Sequence, residues 1–507
     1  MAIVRAIAEG VGPFDRLDLD LSDGKGNPHL GPHILAGVNG SGKTTALRAL
    51  AWALDQGKCG FPYREWAHAV TGREVSRSLI CLQPQSGKYW VQAATTDTKK
   101  DWGERISEWA GKALSRVLPA GVPLKTKLSP DPAVDGWFES GLFARLAFHH
   151  GRAQTSPRKD IEEDRDLGYR WLTASKEDQI DTDGLFDFAA YAPSRTLRYL
   201  DRPDLTKFPK DSKKDCLSFQ ATVDNEAIHA WLLSIYSKRA IAKERQQRPD
   251  AYDQSIGLFE NALRLIYGQN VSFDVEIEPE LQPRIRIGAQ TLNFSQLPDG
   301  IRTGVAWIAD FLMRGDLTAW DPTLKGKRPG VLLLDEIDTH LHPRWQRTLL
   351  PAMREALPDV QIIVTSHSPF VISSCPRARI HVLEVDDKGR AHARPPEDAP
   401  VGQSVTATLK DIFGVPSEFD VETEQQLDEW NALVKIEAAG KLSTKQKTEL
   451  RKLAKTLSSK GEELRFMVES PPKLSQSLAK SLTGSLGTSG NGGRSRKGSR
   501  QKKAVVK

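Results

Sequence analysis

Cysteine is scarce: four stand in 507 residues (Cys59, Cys81, Cys216 and Cys375), and no two of them form a CxxC pair. That spacing argues against a disulfide framework or a cysteine zinc site, and for the reducing cytoplasm. No apolar run approaches the roughly 18–20 residues that span a bilayer, so no membrane partner is expected. The opening MAIVRAIAEG is too short in its apolar stretch, and wrongly flanked, for a signal peptide. There is no internal repeat. Acidic residues stop at Glu469.

The formal net charge of +6 is therefore localised. Arg494, Arg496, Lys497, Arg500, Lys502, Lys503 and Lys507 account for the whole positive excess and leave the rest close to neutral. A Gly/Ser-rich segment with clustered cations buries too little apolar surface to order itself, so 471–507 is expected to be a disordered basic tail. Arms of this kind bind phosphate without reading sequence, which makes DNA a partner to consider. Before the tail, 39% hydrophobic and 27% charged residues suit a globular protein of several domains.

Residues 1–20 read as two antiparallel strands around Gly10–Pro13. His33–Ala36 reads as a short buried strand, and 44–54 as a helix with Leu47, Leu50 and Leu54 on one stripe. Strands are expected at 75–82, 89–95 and 185–192, and helices near 101–118 and 134–149. A charged loop fills 154–183. A helical pair at 223–247 and 251–267 and strands at 271–278 and 283–288 lead to a last block at 292–372. Tyr191–Arg195 lies where it could border a site.

Three segments carry chemistry. Gly37-Val38-Asn39-Gly40-Ser41-Gly42-Lys43-Thr44 matches GxxxxGK[ST], after a buried strand and before an amphipathic helix. Its glycines let backbone N–H groups curl around a β-phosphate, Lys43 reaches the β- and γ-oxygens, and the Thr44 hydroxyl is a ligand for Mg²⁺. Val331–Leu334 is a buried strand ending in Asp335-Glu336, at the carboxyl end where open α/β sheets keep ligands. Asp335 would hold Mg²⁺ through water, opposite Thr44, and Glu336 would orient the attacking water. Gln361–Ser366 is another buried strand, and it delivers His367. A lone histidine is usually structural, but one strand beyond the Asp-Glu strand it fits a γ-phosphate sensor.

This set resembles the ABC-type ATPase head of the SMC, RecF and OLD-like proteins. The matching positions are Gly37–Thr45, which adds Thr45 to the phosphate loop, together with Asp335, Glu336 and His367. Asp338-Thr339-His340-Leu341-His342-Pro343-Arg344 resembles the D-loop of stand-alone OLD-like ATPases, which accounts for His340 and His342 without a metal pair. Leu297-Pro298-Asp299-Gly300-Ile301-Arg302 is the best match to the family's signature segment, with Gly300 facing nucleotide. Pro298 stands where the family has serine, so that hydroxyl contact is missing. The Q-loop glutamine has no clear position.

The resemblance implies an α/β fold: a P-loop head with a mixed or parallel central sheet, an inserted α+β and helical region, and a C-terminal helical extension. The divisions expected are 1–59 with the P-loop, 60–290 as insert and helical lid, 291–402 as the second part of the head, 403–470 as helical extension, and the tail. It also implies ATP with Mg²⁺, hydrolysis to ADP and phosphate, and a homodimer or higher oligomer. No Toprim, HNH or PD-(D/E)xK pattern follows His367. The arrangement resembles the ATPase subunit of Septu-type anti-phage defence, which implies a separate effector such as an HNH nuclease. The alternative is a RecF- or SMC-like repair ATPase that binds DNA itself.

Overall fold

The computed structural model describes residues 2–25, 27–54, 75–83, 89–95, 137–138, 142–146, 187–193, 216–217, 223–246, 250–268, 271–278, 281–318, 327–400, 402–415 and 419–469, with isolated positions between them. The charged loop expected at 154–183, Ser194–Arg195 and the basic tail lie outside the described residues, as does nearly all of the helix expected at 101–118.

Alternating apolar residues near the N-terminus make β1 (Ala2–Val11) and β2 (Phe14–Asp20), antiparallel about a turn in which Gly10 and Gly12 adopt positive φ. β4 (Arg77–Gln83) pairs with the other edge of β1, and β5 (Tyr89–Thr95) pairs with β4. β6 (Trp137–Phe138) and β7 (Leu142–Leu146) complete this sheet, in the order β2-β1-β4-β5-β7-β6. The helix expected at 134–149 is thus replaced by a hairpin. β7 runs parallel to β5, a pairing between segments distant in sequence that local periodicity does not register.

The central sheet is parallel at its heart. β3 (His33–Ala36), β8 (Asp187–Tyr191), β12 (Gly330–Leu334), β13 (Val360–Ser366) and β14 (Arg379–Val385) stand in the order β14-β3-β13-β12-β8, and each adjacent pair is parallel. β15 (Ala391–Ala393) and β16 (Glu397–Asp398) add antiparallel pairs to β14, with Gly389 at positive φ in the turn between β14 and β15. Both faces of the sheet are covered, so its strands are continuous apolar runs. Leu332, Leu334, Ile362, Val364, Ile34 and Ala36 face one core, while Val331, Leu333, Ile363 and Leu35 face the other.

The second core holds β1, β2 and α1 (Lys43–Leu54), where Leu47, Leu50 and Leu54 are buried. The first holds α2 (Asn225–Glu244), α3 (Asp250–Tyr267), α4 (Asp299–Leu317) and α5 (Pro343–Ala356), beside a three-stranded sheet of β9 (Val271–Glu276), β10 (Gln282–Ile287) and β11 (Gln290–Leu292). The region expected as an insert, 60–290, is therefore built into the head, because it supplies a central strand and two core helices. Within α4, buried Asp310 accepts from the Tyr191 hydroxyl at 2.6 Å and from Arg314 at 2.7 Å, tying α4 to β8.

α6 (Pro369–Ile372) and α7 (Val405–Phe413) follow, and Ile412 and Phe413 pack on the first core. The chain divides into two compact units between Val415 and Pro416, so α7 belongs with the head and not with the extension expected from 403. The second unit contains α8 (Val421–Ala438), α9 (Thr444–Lys460) and α10 (Glu462–Glu469). Asp420 and Ser443 cap α8 and α9. No described helix is long and apolar enough to cross a membrane.

At the base of β3, His33 lies 3.1 Å from His381 on β14 (Nδ1 to Nε2), with its other nitrogen 3.1 Å from the His29 carbonyl. Both rings are buried. Burial holds His33 well below its ordinary range and His381 at about 4. The unfolded chain therefore binds protons that the folded one does not, so the neutral pair's contribution is intact above about pH 6.5 and is lost as pH falls towards 4. Each histidine adds a slope of up to about 1.4 kcal/mol per pH unit in that window. The half-denaturation urea concentration should fall across it, and His33→Leu/His381→Leu should flatten the decline. An equal slope in the double variant would remove these residues from the acid response.

Candidate functional site

β3 ends at Ala36, and the backbone must then turn sharply into α1. Gly37, Gly40 and Gly42 make the turn with φ of 150°, 81° and 88°. At Gly42 a Cβ would lie 2.7 Å from the Phe14 ring, whereas at Gly40 nothing lies within 4 Å. Asn39 is exposed, Ser41 is buried, and Thr45 packs against the turn of β1 and β2, where a Cβ on Gly12 would meet it at 2.8 Å.

Lys43 folds back over this loop and donates to the carbonyls of Gly37 and Val38, both at 2.9 Å. Burial lowers its pKa to about 8, against the opposing pull of Glu336, Asp335 and Asp338. The ammonium thus feels three carboxylates yet is anchored on loop carbonyls.

Asp335 emerges from β12, and its Oδ1 accepts from the Thr44 hydroxyl at 3.1 Å and from Thr365 at 2.6 Å. Thr365 also accepts from the Glu336 amide at 2.6 Å. Glu336 takes a left-handed φ of 44°, unusual for a residue with a Cβ, and its carboxylate accepts from Thr339 at 3.2 Å. A hydroxyl and a carboxylate converging at a phosphate loop form an oxygen donor set suited to Mg²⁺.

His367 follows β13, and its amide donates to Asp338 at 3.3 Å. Burial, then the Lys43 charge, lowers its pKa, so the ring is neutral near pH 7 and keeps one N–H to donate. Asp338 opens the loop to α5. Gln346 on α5 donates to the carbonyls of Asp338 and Leu341 at 3.3 and 3.0 Å, and accepts from Ser368 at 2.7 Å. His340 in this loop has φ 63°, and His342 caps α5 by accepting from the Arg344 amide.

The signature segment runs into α4. Pro298 precedes the helix and supplies no side-chain cap, and Arg302 pairs with Asp299. Gly300 is glycine for a packing reason: a Cβ there would lie 2.6 Å from the His340 carbonyl. Tyr267 reinforces the junction, donating to the Gly300 carbonyl at 2.9 Å. The start of α4 and the loop 338–342 are therefore one packed block.

The structure thus gathers Lys43, Thr44, Asp335, Glu336 and His367 at one place. Tyr191 borders them through its backbone, accepting from the Asp335 amide at 2.9 Å, while its side chain is structural. Sequence reasoning missed Thr365 and Gln346. The signal for Thr365 was a hydroxyl directly after the apolar run Ile362-Ile363-Val364; Gln346 had none, because its partners are two backbone carbonyls of the loop before α5 and Ser368, brought together only by the fold.

A family described as "AAA domain, putative AbiEii toxin, Type IV TA system" matches residues 127–373, a span just under half of the chain that contains the signature segment, Asp335-Glu336 and His367. The Retron Ec83 probable ATPase of Escherichia coli is 38% identical over 105 residues, covering 20% of this chain and 19% of that protein. The Retron Vc95 probable ATPase of Vibrio cholerae serotype O1 biovar El Tor is 29% identical over 133 residues, 26% of this chain and 25% of that one. The Septu protein PtuA of Bacillus thuringiensis is 25% identical over 253 residues, 46% of this chain and 60% of that one. The chain thus spans less than two thirds of each relative's length. Among solved structures, the SMC head domain from Thermotoga maritima is similar over 78% of this chain and 100% of that one, at 13% identity and a TM-score of 0.37.

The two loop glycines give a direct test of this geometry. Gly40→Ala should cost only the positive-φ penalty, about 1–2 kcal/mol. Gly42→Ala should cost more, because the Phe14 ring must also move. Urea denaturation of both variants measures the difference, and equal losses would show that the Phe14 contact is unimportant.

Proposed function

We propose that this chain, a P-loop protein of the ABC-type ATPase group similar to the Septu and retron ATPases, binds ATP with Mg²⁺ and hydrolyses it. The observation that carries the reading is the 3.1 Å bond from Thr44 to Asp335, which joins the phosphate loop to the Asp-Glu strand. Gly37–Thr45 would cradle the phosphates with backbone amides, and Lys43 would neutralise their charge. Thr44 and Asp335 would hold the metal, which neutralises charge developing on the transferred phosphoryl group.

Glu336 then orients the attacking water and polarises it. Its strained backbone, fixed through Thr365, sets the direction of the carboxylate. His367 donates to the γ-phosphate from its neutral ring. The start of α4, with Gly300, serves the nucleotide of a second copy, so two chains close head to tail around two nucleotides. Pro298 removes a hydroxyl from that contact, which favours slow turnover.

Similarity to the Septu and retron ATPases supports a role in anti-phage defence; that the ATP state governs a separate effector such as an HNH nuclease is our extension of this reading. Plaque counts on cells carrying the chain with its neighbouring genes test that role. Protection should vanish with Lys43→Ala, and plaque counts indifferent to the chain would contradict it.

For the chemistry itself, Lys43→Ala should weaken ATP binding by about 100-fold, because a charge-neutralising contact is lost. Glu336→Gln should keep affinity nearly unchanged while turnover falls about 10²–10³-fold. Sedimentation of Glu336→Gln should show a dimer with ATP-Mg²⁺ and less of it without. Wild-type turnover in Glu336→Gln would reject the assignment of that carboxylate, and a monomer under both conditions would reject the closed pair.

A further inference from the structure

The second unit separates its charge by helix. α8 carries Glu422, Glu424, Asp428, Glu429 and Glu437 against one lysine, Lys435. α9 carries Lys445, Lys447, Arg451, Lys452, Lys455 and Lys460 against one carboxylate, Glu449. Acidic and basic helices joined by a short turn would be expected to neutralise each other. Only Lys460 reaches across, bonding to Thr423 at 2.8 Å and approaching Glu422 at 3.8 Å.

The other five cations of α9 are exposed. Among the described residues none of them meets a carboxylate, whereas in the head Arg5, Arg16, Arg284 and Arg328 each face at least one. The buried stripe of α9 is Leu450, Leu453 and Leu457, so the cations occupy the opposite side of the helix. From Lys445 to Lys455 the helix rises about 15 Å. Five like charges over that length repel one another, a cost that an external polyanion would relieve.

From this face we infer that α9 is a nucleic-acid contact surface that holds the phosphodiester backbone. The alternatives fit less well. An amphipathic helix lying on a membrane needs an apolar flank beside its cations, and the leucines of α9 are buried. A protein interface needs an apolar centre, which the cationic face lacks. A phosphodiester chain asks only for closely spaced positive charge, which this face offers. Lysines dominate it, and they act as point charges without the forked geometry that reads bases, so recognition is of backbone and not of sequence. Beyond α10 the chain adds nine more Lys and Arg and no acidic residue from 470 to 507.

The test uses the full chain and a fluorescein-labelled DNA duplex, with the matching single strand and an RNA of the same sequence as separate arms. Anisotropy titrations between about 50 and 200 mM salt give the dependence of log Kd on log salt. Lys445→Gln/Lys447→Gln/Arg451→Gln/Lys452→Gln/Lys455→Gln should reduce the duplex slope by about 4.5, near 0.9 per lost contact, and weaken binding at least about tenfold at the lowest salt. ATP affinity and helical circular dichroism should not change. Should that variant lose helicity, Lys452→Gln/Lys455→Gln should still lower the slope by about 2. An unaltered slope would overturn the proposal and leave the face merely solvated. Displacement of the duplex by polyglutamate at equal charge would overturn it in favour of an acidic protein. Loss of nucleic-acid binding with ATP binding intact separates this surface from the nucleotide site.

Discussion

One oxygen of Asp335 holds the molecule's two chemical halves together. It accepts from Thr44, at the start of α1, and from Thr365, at the end of β13. Those groups meet only because β13 lies between β3 and β12 in a parallel sheet with fixed register, Ser366 opposite Ala36 and Val364 opposite Leu334. A slip of one residue would turn each side chain to the other face of the sheet. The two cores that grip the sheet, with alternate residues of each strand facing each core, make such a slip prohibitive.

From that junction a chain of short contacts runs outward. Thr365 fixes the Glu336 amide, Thr339 its carboxylate, Asp338 the His367 amide, and Gln346 the loop that follows. The same loop presses its His340 carbonyl against Gly300, with Tyr267 bonded to the Gly300 carbonyl on α4. Left-handed backbone at Glu336 and His340 costs about 1–3 kcal/mol at each residue and persists because packing and hydrogen bonds over-determine it. Close-packed atoms therefore connect Asp335 to the start of α4.

The site was legible where chemistry is local in sequence. The glycines, Lys43 and Thr44 form one unbroken motif, and Asp335-Glu336 and His367 each end an apolar run whose length marks a buried strand. Nonlocal pairing was not legible. β4, β8, α2 and α3 read as parts of an insert because their partners are β1, β12 and a core assembled from distant segments. β6 and β7 read as helix for the same reason, since β7 takes its register from β5 and β6 pairs with β7. α7 looked like the start of the extension because its helical spacing does not reveal that Ile412 and Phe413 face the head core. Gly300 was legible as a glycine of interest, but the atom that demands it, the His340 carbonyl, could not be read from spacing.

The central claim is that Thr44 and Asp335 act on a single Mg²⁺ ion bound with ATP. A double-mutant cycle measures this directly: the affinity of Mg²⁺-ATP for the wild type, Thr44→Val, Asp335→Asn and the double variant, each repeated with EDTA. If both residues serve one ion, the two losses in Mg²⁺ are non-additive, with a coupling above about 1 kcal/mol that disappears in EDTA. Losses that add within about 0.5 kcal/mol, or a coupling unaffected by EDTA, would contradict the account.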